Sequence, residues 1–204
     1  MLGTRLAQAI ARGGVLLAIG LFSSSCTKSE RYRDSCADLD GGAPVDPVLL
    51  AFLSRARAAH HAADLLEQSA DLAGAIGELT LLSKGPKPQG QARAEVREVL
   101  ADTQARLADL YGRMGKLEQA FAAVDEGLSL VEEPTYFRGH LFEVRGLLEE
   151  RQADSLSKQG NQAAAKAARE RALSAVEEAM RIQAHVIEGA APASSAAPTS
   201  IPSR

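Results

Sequence analysis

A shift of 45 residues lays this chain upon itself. Ala63, Ala108 and Ala153 fall together, each followed directly by an aspartate, Asp64, Asp109 and Asp154. Leu66, Tyr111 and Leu156 come next, then Ala70, Gly115 and Gly160, then Ala75, Ala120 and Ala165. In a chain this rich in alanine the aspartates and the glycines carry more of the signal than the alanines. A fixed period of this size means one supersecondary unit used several times. A lone unit leaves a face uncovered, so units must stack, and the middle one gains neighbours on both sides. A glycine between two helices supplies the left-handed residue that ends the first. The small residue that follows lets the two helices approach closely.

Between residues 46 and 187 the chain reads as helix throughout, rich in Ala, Leu, Glu, Arg and Gln, which lose little entropy in that conformation. Aromatic residues are 4% and Trp is absent, which speaks against a β-sandwich or barrel core. Six helices are predicted. The first begins at Asp46–Pro47, an N-cap with proline in the first turn, and ends near Gln68. The others cover about 70–83, 91–114, 116–131, 136–158 and 161–187, with Gly85-Pro86, Gly115, Pro134, Gly160 and Gly189 as stops and Thr135 as the cap of the fifth. The fold class implied is all-α, a helical-hairpin solenoid of about three hairpins. The alternative is an irregular helical bundle that contains one such hairpin. Val96, Val99, Leu100, Leu107, Leu110, Tyr111 and Met114 follow helical spacing and are expected in the core. The sixth helix offers a thin stripe of Ala165, Ala168, Ala172 and Ala179 with Val176 and Val186, suited to a terminal cap or a docking helix.

The two ends differ from this body. Arg5 and Arg12 precede an apolar run, Gly13 to Phe22, and then Ser23, Ser24, Ser25 and Cys26. The run is about half the roughly 20 residues that a spanning helix needs. Residues 1–25 therefore read as an export signal rather than a permanent membrane span. Residues 26–45 are polar with a Gly-Gly-Ala-Pro break and read as a flexible tether. Residues 188–204 are rich in Ala, Pro and Ser and are expected to be a disordered tail.

Leu21, Phe22, Ser23, Ser24, Ser25 and Cys26 resemble the lipobox of bacterial lipoproteins, with Ser23 where that family usually has Leu. The resemblance implies diacylglycerol on the Cys26 thiol, cleavage before Cys26 and acylation of the new amino group. Several acyl chains hold a protein stably on a membrane. By the same resemblance, Thr27 rather than Asp after the cysteine permits transfer to the outer membrane. The rival is ordinary secretory cleavage near Ser25 with a free Cys26. In that case a Cys26–Cys36 disulfide is open to an exported chain. Otherwise Cys36, between Asp34 and Asp38, is an unpaired tail cysteine whose acidic flanks work against a reactive thiolate.

The stretch Arg106 to Leu130 resembles a tetratricopeptide repeat. Leu107 and Ala108, Tyr111, Gly115 and Ala120 stand at matching positions. Gln104 replaces the usual Trp, Gly127 replaces Ala, and Pro134 comes two residues late. The family repeats every ~34 residues, so each helix here is longer. The first and third copies match weakly.

No GxSxG, Walker loop, GxGxxG, HExxH or CxxC is present, and the chain is read as non-enzymatic, with no cofactor and no metal. His60 and His61 are neighbours on a helix, about 100° apart, and do not face one ligand. His140 and Glu143 form an i, i+3 pair suited to a surface hydrogen bond. A net charge of −3 and a pI near 5.9 exclude a general nucleic-acid binder. Two sets of residues could touch a partner. Asp64, Asp109 and Asp154 either line one face toward a basic partner or are solvated helix positions. Tyr136, Phe137 and Phe142, with Leu141, either anchor a bound peptide or fill the core between the second and third hairpins. Together the two resemblances imply a membrane-anchored lipoprotein of the bacterial cell envelope, facing the periplasm. It would act as a non-catalytic scaffold for an envelope protein or peptide segment. The alternative is a periplasmic accessory or small-ligand-binding helical protein.

Overall fold

The structure is a computed structural model and describes residues 46–88 and 94–190. The expected signal, Cys26, Cys36, the tether and the tail beyond Ala190 lie outside the described residues. The described residues form six α-helices and no strand. These are α1 (Pro47–Gln68), α2 (Leu72–Lys84), α3 (Ala94–Arg113), α4 (Leu117–Leu130), α5 (Tyr136–Lys158) and α6 (Gln162–Ala190).

The helix starts follow the capping rules. Asp46 accepts the Val48 N–H at 2.7 Å and Pro47 opens α1, where its missing N–H is not needed. Thr135 Oγ1 accepts the Arg138 N–H at 3.2 Å at the head of α5. Asp71 and Asn161 cap α2 and α6 through the N–H groups of Gly74 and Ala164, at 2.8 and 3.2 Å.

The turns between α1 and α2, α3 and α4, and α5 and α6 are one motif written three times. Ala70, Gly115 and Gly160 have φ of 63°, 73° and 80°. The N–H after each reaches back into the preceding helix: Asp71 to the Leu66 carbonyl at 2.8 Å, Lys116 to Tyr111 at 2.9 Å, Asn161 to Leu156 at 2.9 Å. The left-handed residue itself donates to Glu67, Gly112 or Ser157 at 2.9 to 3.0 Å. This is the Schellman arrangement, which satisfies carbonyls that the helix end would leave bare. Because these residues leave the helical conformation, α2 begins at Leu72 rather than near 70. At the other end α6 runs through Glu188 and Gly189 to Ala190, past the expected stop at 187. A helix tolerates an open glycine at modest cost, and a Cβ at Gly189 would meet nothing within 4 Å.

Each helix packs on its partner across the turn, α1 on α2, α3 on α4 and α5 on α6. In addition α3 meets α1 and α2, and α5 meets α3 and α4. The aligned alanines Ala63, Ala108, Ala153, Ala75, Ala120 and Ala165 are all fully buried, which is what close helix approach requires. Around them Leu79, Leu107, Leu110, Val124, Leu141, Val144 and Leu148 form the main cluster. Phe52, Ala56, Leu82, Val96 and Leu100 form a second one among α1, α2 and α3. Helix α5, with neighbours on several sides, has buried residues around most of its circumference. A Cβ on Gly127 of α4 would lie 2.6 Å from a Leu141 methyl, so α4 and α5 meet where only glycine fits without a shift. One expected core residue is outside the core: Met114 sits in the turn past the end of α3.

Candidate functional site

Acid–arginine pairs join the odd-numbered helices. Arg106 of α3 reaches back to α1, where its guanidinium contacts Asp64, donates to Glu67 at 2.6 Å and donates to the His60 carbonyl at 3.1 Å. Arg113, two turns further along the same face of α3, contacts the other Glu67 oxygen. Arg151 of α5 repeats the motif on α3, donating to Asp109 at 3.0 Å. Arg106 and Arg151 are themselves one 45-residue period apart, so the pairing recurs together with the turns. Burial alone would raise the Glu67 carboxyl. The hydrogen bonds from Arg106 and Arg113 outweigh that and hold it below its usual range. Burial opposes the charge of Arg106 too, and its carboxylate partners more than offset it. The chemistry of these groups is structural, since they fix which turn of one helix lies against which turn of the next.

A second polar layer lies beside the first. Thr103 is fully buried, donates to the Val99 carbonyl at 2.7 Å and lies 3.0 Å from His60 Nε2. His60 Nδ1 is 3.8 Å from Asp102. Burial lowers the His60 pKa, and Arg106 adds to that, while Asp102 and Asp64 pull the other way without prevailing. Gln104, where the tetratricopeptide pattern has Trp, is buried and donates to Ser83 Oγ at 3.0 Å.

The aromatic residues at the start of α5 do not form one patch. Phe137 packs against the main cluster, while Tyr136 is 58% exposed, edge-on to Phe137 and stacked on His140. Phe142 lies well around the helix from Tyr136, half-buried, with the Arg138 guanidinium 5.4 Å from its ring centre. His140 Nδ1 and Glu143 are 3.2 Å apart, the i, i+3 pair read from spacing. Glu143 also accepts from Gln183 of α6 at 2.6 Å, a tie that spacing did not reveal.

The three aligned aspartates therefore have different surroundings. Asp64 and Asp109 are engaged by Arg106 and Arg151. Asp154 is exposed on α5 and borders a groove with Glu150, Arg169, Ala172, Leu173 and Val176. The two arginines were missed at the sequence level, although the same shift that aligns the aspartates also aligns them. Among the described residues no group of three or more His, Cys, Asp or Glu is placed to hold a metal ion. No described helix is long and apolar enough to cross a membrane. Comparison with protein-family models, with curated proteins and with solved structures finds no match to the chain.

Proposed function

We propose that this chain is a lipid-anchored envelope lipoprotein whose helical body is a non-catalytic protein-binding scaffold. The body is a tetratricopeptide-like solenoid of three hairpins, α1–α2, α3–α4 and α5–α6. One observation carries this reading: the left-handed turn and the aspartate–arginine pair between odd-numbered helices both recur with the 45-residue period. Like units stacked in a row present a long surface built from equivalent positions, which suits binding of an extended or helical protein segment. The anchor rests on Cys26 and the small residues before it. Its place is the outer membrane facing the periplasm, with an envelope protein or peptide segment as partner.

The experiment is in-cell crosslinking of the tagged full chain, with Cys26→Ala beside it, combined with membrane fractionation and incorporation of an alkyne-labelled palmitate. The native chain is expected in the membrane fraction, labelled, and crosslinked to a defined envelope protein. Cys26→Ala is expected to be unlabelled and to lose that partner. Label-free, soluble native protein with no crosslinked partner refutes both the anchor and the scaffold.

A further inference from the structure

The 45-residue register compares three grooves of one kind. In the first, between α1 and α2, His60, Asp64, Leu79, Leu82 and Ser83 receive α3 through Thr103, Arg106, Leu100 and Gln104. In the second, between α3 and α4, the counterparts Ala105, Asp109, Val124, Gly127 and Leu128 receive α5 through Leu141, Val144, Leu148 and Arg151. In the third, between α5 and α6, the counterparts are Glu150, Asp154, Arg169, Ala172 and Leu173. No described helix fills it. Leu173 is 61% exposed, whereas its counterpart Leu128 packs against the main cluster. Val176 is 38% exposed, whereas its counterpart Val131 is buried. Asp154 has no ion-pair partner among the described residues.

We infer that the α5–α6 groove is a docking seat for an amphipathic helix of a partner protein, held as α5 is held on α3–α4. This inference rests on the scaffold reading and names its contact site. The two filled grooves define the chemistry of the occupant. Apolar or small side chains at i, i+3 and i+7 face the groove, as Leu141, Val144 and Leu148 do from α5, and an arginine at i+10 reaches the aspartate, as Arg151 does. In the third groove that arginine pairs with Asp154, and the apolar side chains cover Ala172, Leu173 and Val176. Head-to-tail stacking of a second copy does not satisfy this pattern. The corresponding positions of α1 are Ala51, Ser54, Ala58 and His61, without a large apolar side chain or an arginine. The seat is also more polar than the filled ones. Arg169 stands where Leu79 and Val124 are fully buried, and Glu150 stands where Ala105 is.

The probe is a labelled synthetic peptide with the sequence of α5, Tyr136–Lys158, titrated by fluorescence anisotropy into the full chain in detergent. Saturable binding is expected. It should weaken about tenfold with Asp154→Arg and recover when the peptide carries Arg151→Asp, the sign of direct charge pairing. Leu173→Asp, at an exposed position, should abolish binding while leaving the urea midpoint unchanged. Binding indifferent to both variants, or no saturation at about 100 μM peptide, the upper range of a useful affinity, overturns the seat. So does a dimer in light scattering that Leu173→Asp dissolves, since a second copy is then the occupant. In-cell crosslinking of the Leu173→Asp chain separates the two readings. A partner still captured overturns this seat and leaves the scaffold standing. No partner captured by either the native or the variant chain refutes the scaffold, and the peptide titration alone then upholds or overturns the seat.

Discussion

Asp109 on α3 accepts a hydrogen bond from Arg151 on α5 at 3.0 Å, one period after Asp64 on α1 engages Arg106 on α3. Equivalent residues thus join consecutive units. The two joints are not equal in depth. Arg106 is the less exposed arginine and also satisfies Glu67 and the His60 carbonyl, whereas Arg151 has one carboxylate partner.

Arg106→Ala should therefore destabilise the body by about 2 kcal/mol, because it leaves Asp64 and the His60 carbonyl without their charged donor and Glu67 with Arg113 alone. Arg151→Ala should cost about 1 kcal/mol or less, as for a half-exposed pair. The coupling between Asp109 and Arg151 in a double-mutant cycle, read by urea denaturation, should fall in the same low range. A larger loss for Arg151→Ala than for Arg106→Ala contradicts this ranking.

The turn at Ala70 is the same motif as those at Gly115 and Gly160, but with a Cβ in the left-handed region. That conformation costs an L-residue roughly 1–2 kcal/mol. Ala70→Gly should raise stability by about 1 kcal/mol, and Gly115→Ala should lower it by a similar amount. Thermal or urea unfolding of the two variants checks the pair. An Ala70→Gly chain that unfolds earlier than the native one refutes the account of this turn.

Burial holds His60 below its ordinary pKa, so the unfolded chain takes up a proton at a higher pH than the folded one does. Stability should then decline as pH falls through about 6.5, the ordinary histidine value, toward the lower folded pKa. Glu67, also held low, contributes stability above its ordinary carboxylate range and loses it only as pH falls below that range. His60→Asn should flatten the slope between neutral pH and the carboxylate range while leaving the acid limb in place. Urea midpoints measured across that range decide it. A slope unchanged in the variant refutes the assignment to His60.

Helix number, helix ends and turns were legible in the chain because their causes are local. Asp46 with Pro47, Thr135, and the residues at 70, 115 and 160 act on backbone groups within a few positions of themselves. Gly189 reads as a stop, yet α6 runs through it to Ala190, because a glycine weakens a helix without breaking its hydrogen bonds. The periodic alanines were readable for the same reason: a small residue at fixed spacing makes room wherever two helices cross.

What tertiary structure alone decided was which groups meet. Arg106 finds Asp64 across 42 residues, His60 finds Thr103 across 43, and Gln183 finds Glu143 across 40. Phe137 turns into the core while its neighbour Tyr136 faces outward. Nothing near these residues in the chain distinguishes a buried partner from a solvated one. The face that a helix presents becomes inner or outer only when another helix is laid against it. For α5 and α6 the sequence by itself set the period, and so the positions Asp154, Leu173 and Val176. Only the packed structure, in which α3 and α5 fill the two earlier grooves and no described helix fills the third, left those positions open.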